Sequence, residues 1–251
     1  MNNLLVIAIA ILPVVLLGVF VFRQDKKQKE PLGQLLKAFF FGALSILPAA
    51  LMEAVVSCFT PEIPVLEGLF TGFCVAGCCE EFCKLMLLLL AVWGSRYFDE
   101  YFDGIVYATF LSLGFACFEN LGYVFGQETL FSSLVTGTMR AILSVPGHFL
   151  FGVAMGYYLA LAKFDKPHRA RYLLLAFVVP MLLHGTFDSL LMIPESMGSG
   201  ASLVAGTLFV VFIVFDIILW KKGMRRIRKM QELTRQQGFD WSNPFAGFQW
   251  D

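Results

Sequence analysis

Charge is scarce in this chain: Asp, Glu, Lys and Arg make up 15% of its 251 residues, 19 cations cancel 19 acids, and histidine occurs three times. Soluble domains carry nearer a quarter of their residues as charges. The shortage excludes a soluble enzyme, a disordered chain and a nucleic-acid binder with a basic surface. Cysteine is missing from the loops. Cys58, Cys74, Cys78, Cys79, Cys83 and Cys117 all lie within or at the edge of apolar runs, which argues against an extracytoplasmic disulfide framework. No internal repeat, low-complexity tract or linker is visible.

What is present is apolar sequence, 58% of the chain, arranged in blocks of bilayer-spanning length. Seven blocks can be read: 3–22, 38–58, 68–93, 104–125, 134–162, 172–193 and 202–220. The expected fold is all-α, a polytopic bundle of about seven transmembrane helices. The fifth block is long and contains Pro146, which predicts a tilt or kink. Lys and Arg set the orientation. Seventeen of the 19 fall in 23–37, 94–103, 163–171 and after 220, whereas the alternate loops hold only Glu62, Glu67, Glu128 and Glu195. An outer amino terminus and an inner carboxyl terminus follow. The first block reads as an anchor, not a cleavable signal, because its positive cluster comes after the apolar run. Residues 1–220 are expected to form one bundle domain, and 221–251 a cytoplasmic tail. The tail is basic from Lys221 to Lys229, with Phe239, Trp241, Phe245, Phe248 and Trp250 beyond; it is either disordered or laid on anionic lipid.

Charged residues at membrane depth cost about 2.5–3.5 kcal/mol each on insertion scales, so those retained there need a reason. Lys84 and Arg140 are such residues, with Glu53, Glu80, Glu81, Glu119, Asp188, Asp216, His148 and His184. At about 100° per residue, Glu80, Glu81, Lys84 and Gly77 share one helix face, where Gly77 admits a neighbouring helix. Phe82, Leu85, Met86 and Leu89 lie opposite, toward lipid or packing partners. Adjacent carboxyls beside an ammonium suit a general base next to an acid; a structural ion pair is the plainer alternative. Glu119 and Tyr123 are i, i+4 neighbours, as are His184 and Asp188. A buried Glu held by a Tyr hydroxyl, or a simple surface pair, would also account for them. Arg140, Ser144, His148, Gly152 and Gly156 form a polar and small stripe. Glu53 and Asp216 have no evident partner and read as structural. Cys74, Cys78, Cys79 and Cys83 spread around the helix and cannot converge on one metal, so they read as small buried hydrophobes.

Glu80, Glu81, His148 and His184 each fall about 10–15 residues into their blocks, about 15–22 Å deep. Glu119 and Asp188 fall nearer the outer end, which predicts one site at or just outside the midplane. Carboxylates, imidazoles, Tyr123 and Asn120 there suit water activation and amide hydrolysis, with His or Asn steadying the oxyanion. His148, His184 and Glu119 would suffice for a divalent metal such as Zn2+ with an open position; a metal-free glutamate mechanism is equally compatible. No His-Glu-x-x-His helix is present, and no Gly-x-Gly-Asp motif. Gly198-Ser199-Gly200 falls in an outer loop, unlike a rhomboid serine. The competing function is a proton- or ion-coupled transporter, which such residues also build; it lacks support from an inverted repeat or paired broken helices.

The ordered motifs resemble the PrsW family of intramembrane proteases, itself similar to the CAAX-protease and bacteriocin-processing superfamily. Glu80-Glu81-Phe82-Cys83-Lys84 matches the family's EExxK, and Phe118-Glu119 with Tyr123 matches FExxxY. His148 stands at the first membrane histidine, and His184 with Asp188 matches HxxxD. Asp103-Gly104-Ile105-Val106-Tyr107 and Gly114-Phe115-Ala116 are similar to the stretches before the second motif. The likeness runs from about 68 to 193, the motif-bearing core. It implies an endopeptidase, often labelled a metalloprotease, with Glu80 and Glu81 catalytic and His148 and His184 as base or metal ligands. It also implies a membrane-anchored protein substrate, an anti-sigma factor cut at site 1 in envelope-stress signalling.

Overall fold

The computed structural model describes residues 2–198 and 202–237. Among these residues the regular structure is helical throughout. Ser199 and Gly200, and the aromatic positions Phe239, Trp241, Phe245, Phe248 and Trp250, lie outside the described residues. Helices α1 (Asn2–Gln24) and α2 (Leu32–Ser57) match the first two blocks. The third block is a run of helix: α3 (Pro64–Phe70), a π-helical segment (Thr71–Cys78) and α4 (Cys79–Val92). Next come α5 (Tyr101–Phe125), α6 (Leu130–Ile142), α7 (Ser144–Phe164), α8 (Arg169–Met197) and α9 (Ser202–Gln236). By length and composition, six helical stretches can cross a membrane, α6 and α7 counting as one. Helices satisfy their own backbone hydrogen bonds, which is what a bilayer demands of a spanning segment.

The break in the fifth block falls at Leu143, between α6 and α7, so Pro146 sits in the first turn of α7. A proline there gives up a backbone N–H that no helix bond would use. Helix α9 runs past residue 220 to Gln236. Its end is tied down, because Thr234 Oγ1 accepts the Phe102 N–H at 2.8 Å and Gln231 donates to the Gln24 carbonyl at 2.7 Å.

Helix α5 is the centre of the bundle, packed against α7, α2 and α1. Ile105, Val106, Leu111, Phe149, Leu150 and Phe151 are buried in the core they share. The α5–α7 crossing depends on paired glycines: a Cβ on Gly104 would lie 2.6 Å from the Gly156 carbonyl oxygen. Helices α1, α2 and α9 form the rim and turn Leu12, Leu16, Phe40, Leu47, Leu51 and Val210 outward. Apolar side chains facing outward suit lipid, which is as apolar as the core. Phe82 and Met86 face outward as expected of their side of α4, while Leu85 is buried. The cysteines divide: Cys79, Cys83 and Cys117 are buried, Cys78 is half-buried, and Cys58 and Cys74 are exposed on the bundle surface.

Candidate active site

The π-helical segment ends immediately before Glu80 and Glu81. π turns recur at functional sites because the extra residue re-aims the side chains that follow. Gly77 brings this segment against α8: a Cβ there would lie 2.9 Å from the Met181 carbonyl oxygen and 3.0 Å from the Gly185 nitrogen. Both carboxylates are therefore held beside His184. Lys84, one turn further on, is fully buried, and its Nζ donates to Glu80 Oε2 at 2.9 Å and Glu81 Oε1 at 2.8 Å. It also lies 3.9 Å over the Phe115 ring centroid.

Helix α7 supplies His148, whose Nδ1 is 3.1 Å from Lys84 Nζ and whose Nε2 is 2.8 Å from Glu119 Oε2 on α5. Lysine has no acceptor, so His148 Nδ1 presents a lone pair and Nε2 carries the proton given to Glu119. Helix α8 supplies His184, with Nδ1 2.9 Å from Glu81 Oε1 and Nε2 3.2 Å from Asp188 Oδ2. Its ring stacks on Phe151 at a centroid distance of 4.7 Å. Four elements thus converge on one polar centre.

Glu80, Glu81, His148 and His184 are all buried, and each places one donor atom within 4.8 Å of the others. Two imidazoles with carboxylates are a donor set that zinc-class cations take. Glu81 Oε2 has no hydrogen-bond partner among the described residues, and His148 Nδ1 is unprotonated, so the donors fit a metal in kind. Lys84 already bonds to three of the four, so a metal held there would share or displace the ammonium. Glu119, expected as a ligand, stands outside this set and touches it through the far nitrogen of His148.

A cavity of about 430 Å3 opens on this centre, lined by Glu80, Glu119, His148, His184 and Asp188 among others. Tyr123 also lines it, but the partners of Glu119 are His148 and Arg140, not the tyrosine hydroxyl; Tyr123 lies flat beneath the Arg140 guanidinium at 3.9 Å. Asn120 is fully buried: it donates to the Ala10 carbonyl at 3.0 Å and accepts from Arg140 Nε at 3.1 Å, so both ends of its amide are engaged. Two lining residues stand out in the sequence as charges at membrane depth but receive no site role there. Arg140, also a member of the α6–α7 stripe, pairs with Glu119 at 2.6 Å. Glu53, read as structural, reaches the cavity from α2; no local spacing pairs it with anything. Asp216 is half-buried on α9, apart from the cavity.

Compared with known families, residues 30–218 match the PrsW family intramembrane metalloprotease. The chain belongs to the PrsW family. It is 36% identical over 234 residues to the Protease PrsW of Clostridioides difficile (strain 630), covering 92% of this chain and 93% of that one. Against the Protease PrsW of Bacillus subtilis (strain 168) it is 32% identical over 235 residues, 92% and 98% of the two chains. Against that of Geobacillus kaustophilus (strain HTA426) it is 33% identical over 231 residues, 92% and 94%. No solved structure matches. This PrsW-family chain is an intramembrane endopeptidase and a multi-pass membrane protein.

Proposed function

We propose that this protease hydrolyses a peptide bond of a membrane-anchored protein near the outer face of the membrane, with Glu80, Glu81, His148 and His184 as its catalytic centre. The observation that carries the reading is the burial of two carboxylates and two imidazoles at the head of a cavity formed inside the bundle. Glu80 or Glu81 takes a proton from water at the cavity wall. The proton taken from water passes to His184, which lies between Glu81 and Asp188, and from there to the amine nitrogen as the C–N bond breaks. His148, engaged by Lys84 and Glu119, holds the ammonium in place. Lys84 sits between both carboxylates and favours keeping charge there. A divalent metal held by His148, His184 and a carboxylate would supply Lewis-acid polarisation of the scissile carbonyl or of the water.

The outer-face assignment rests on the loop charges, which put the late ends of α2, α5 and α8, and with them the cavity, away from the lysine-rich side. The family also motivates a specific substrate, a membrane-anchored anti-sigma factor cut at site 1 under envelope stress. The test is cleavage of a co-expressed tagged anti-sigma factor by wild type and by Glu80→Gln and Glu81→Gln at matched membrane levels. Cleavage should vanish in both variants. Full cleavage by either removes that carboxylate from the mechanism. If wild type leaves the anti-sigma factor intact, comparing membrane proteomes with and without the variants identifies a different substrate.

A further inference from the structure

A second cluster of donors lies at the other end of α5. Glu30 in the α1–α2 connection, Asp99 in the α4–α5 connection and Asp103 in the first turn of α5 each place an oxygen within 4.8 Å of the others. Asp103 and Glu119 are sixteen residues apart on α5, about 24 Å of helix rise, so this cluster is separate from the catalytic centre. Glu30 and Asp103 are buried, while Asp99 is exposed and leaves a route from water. Asp103 Oδ2 accepts the Asp99 N–H at 3.0 Å and the Glu100 N–H at 2.6 Å. The other oxygen, Oδ1, is buried and meets no N–H or O–H donor among the described residues. The Asp103 carboxyl lies against that of Glu30, a juxtaposition that needs a shared proton or a cation. Glu30 Oε2 accepts from the Tyr107 hydroxyl. The nearby cation, Lys27, is committed to Glu100 at 3.0 Å and to the Thr234 carbonyl at 3.1 Å. Among the described residues, no basic side chain forms an ion pair with Glu30, Asp99 or Asp103.

Buried carboxylates without a counter-charge are expensive, and a set of oxygen donors selects hard cations over zinc-class ones. We propose that Glu30, Asp99 and Asp103 form a second cation site, for a hard divalent ion such as Mg2+ or Ca2+. The ion pins the α1–α2 and α4–α5 connections to the base of the central helix. The end of α9 closes over the same place, because Gln237 donates to the Asp99 carbonyl at 2.6 Å.

The test uses the full-length protein purified in detergent, stripped with EDTA and dialysed. Its unfolding temperature is then followed through titrations of MgCl2, CaCl2 and KCl at matched ionic strength. One divalent salt should raise the unfolding temperature saturably where KCl does not. The midpoint should shift by about tenfold or more in Asp99→Asn and in Glu30→Gln, and stay unchanged in Glu81→Gln, which alters the other donor set. Asp99 is exposed, so Asp99→Asn tests binding with little risk to folding. An equal rise with KCl, no saturable rise, or a wild-type midpoint in Asp99→Asn overturns the site. A response lost in Glu81→Gln but retained in Asp99→Asn assigns the effect to the catalytic centre and also overturns it.

Discussion

His148 joins two helices through one ring: its Nδ1 receives Lys84 from α4 at 3.1 Å, and its Nε2 donates to Glu119 on α5 at 2.8 Å. Glu119 in turn is held by Arg140 at 2.6 Å. The tautomer of the His148 imidazole is thereby chosen by residues on three other helices, a relationship of the kind that orients metal ligands and general bases.

Glu119→Gln keeps an acceptor for His148 but drops the charge that holds Arg140. Cleavage should fall by about tenfold to a hundredfold, with membrane levels of the protease unchanged. Quantitative immunoblotting of a co-expressed substrate measures it, and a wild-type rate would remove Glu119 from the orienting role.

Arg140→Ala leaves the Glu119 carboxylate with His148 as its remaining partner and should cost about 1–3 kcal/mol. Arg140→Lys should fall between, since a single ammonium cannot reproduce the contacts to Glu119 and Asn120 together. Thermal unfolding in detergent reads both variants; equal stability of Arg140→Ala and wild type would contradict the pairing.

Gly77→Ala forces a Cβ against the α8 backbone and should destabilise by about 1–3 kcal/mol, with a larger loss of cleavage. Gly94 is the control, because a Cβ there would meet nothing within 4 Å: Gly94→Ala should behave as wild type. If both alanine variants match wild type, the close approach of the π-helical segment to α8 is not needed.

Metal removal gives a fourth outcome. Treatment with a strong chelator should abolish cleavage and Zn2+ should restore it. Elemental analysis should find less bound metal in His148→Ala and His184→Ala than in wild type. Chelator-resistant cleavage by a protein free of bound metal would favour the glutamate mechanism.

The helices, and the pairs within each helix, are legible in the sequence. Glu80 with Lys84 and His184 with Asp188 are contacts one turn apart, and helical periodicity alone brings them together. Gly77 is legible for the same reason: a small residue on a charged face marks where another helix comes close. Tyr123 shows the limit of that logic. It shares a face with Glu119, yet it packs under Arg140 because the arginine comes from another helix and takes the carboxylate first.

Hydropathy by itself determined that this chain is a membrane-embedded helix bundle, since about 20 apolar residues in a row have few other stable uses. The spacing of its charges determined which side chains share a face. Tertiary structure alone decided that Arg140 secures Glu119, that Asn120 is spent on Ala10, that Glu53 reaches the cavity, and that Glu30 meets Asp99 and Asp103. Those pairings depend on how each helix is rotated and which helix stands beside it. Contacts between backbones at Gly77, Gly104 and Gly156 set that rotation, and no single-helix period encodes it.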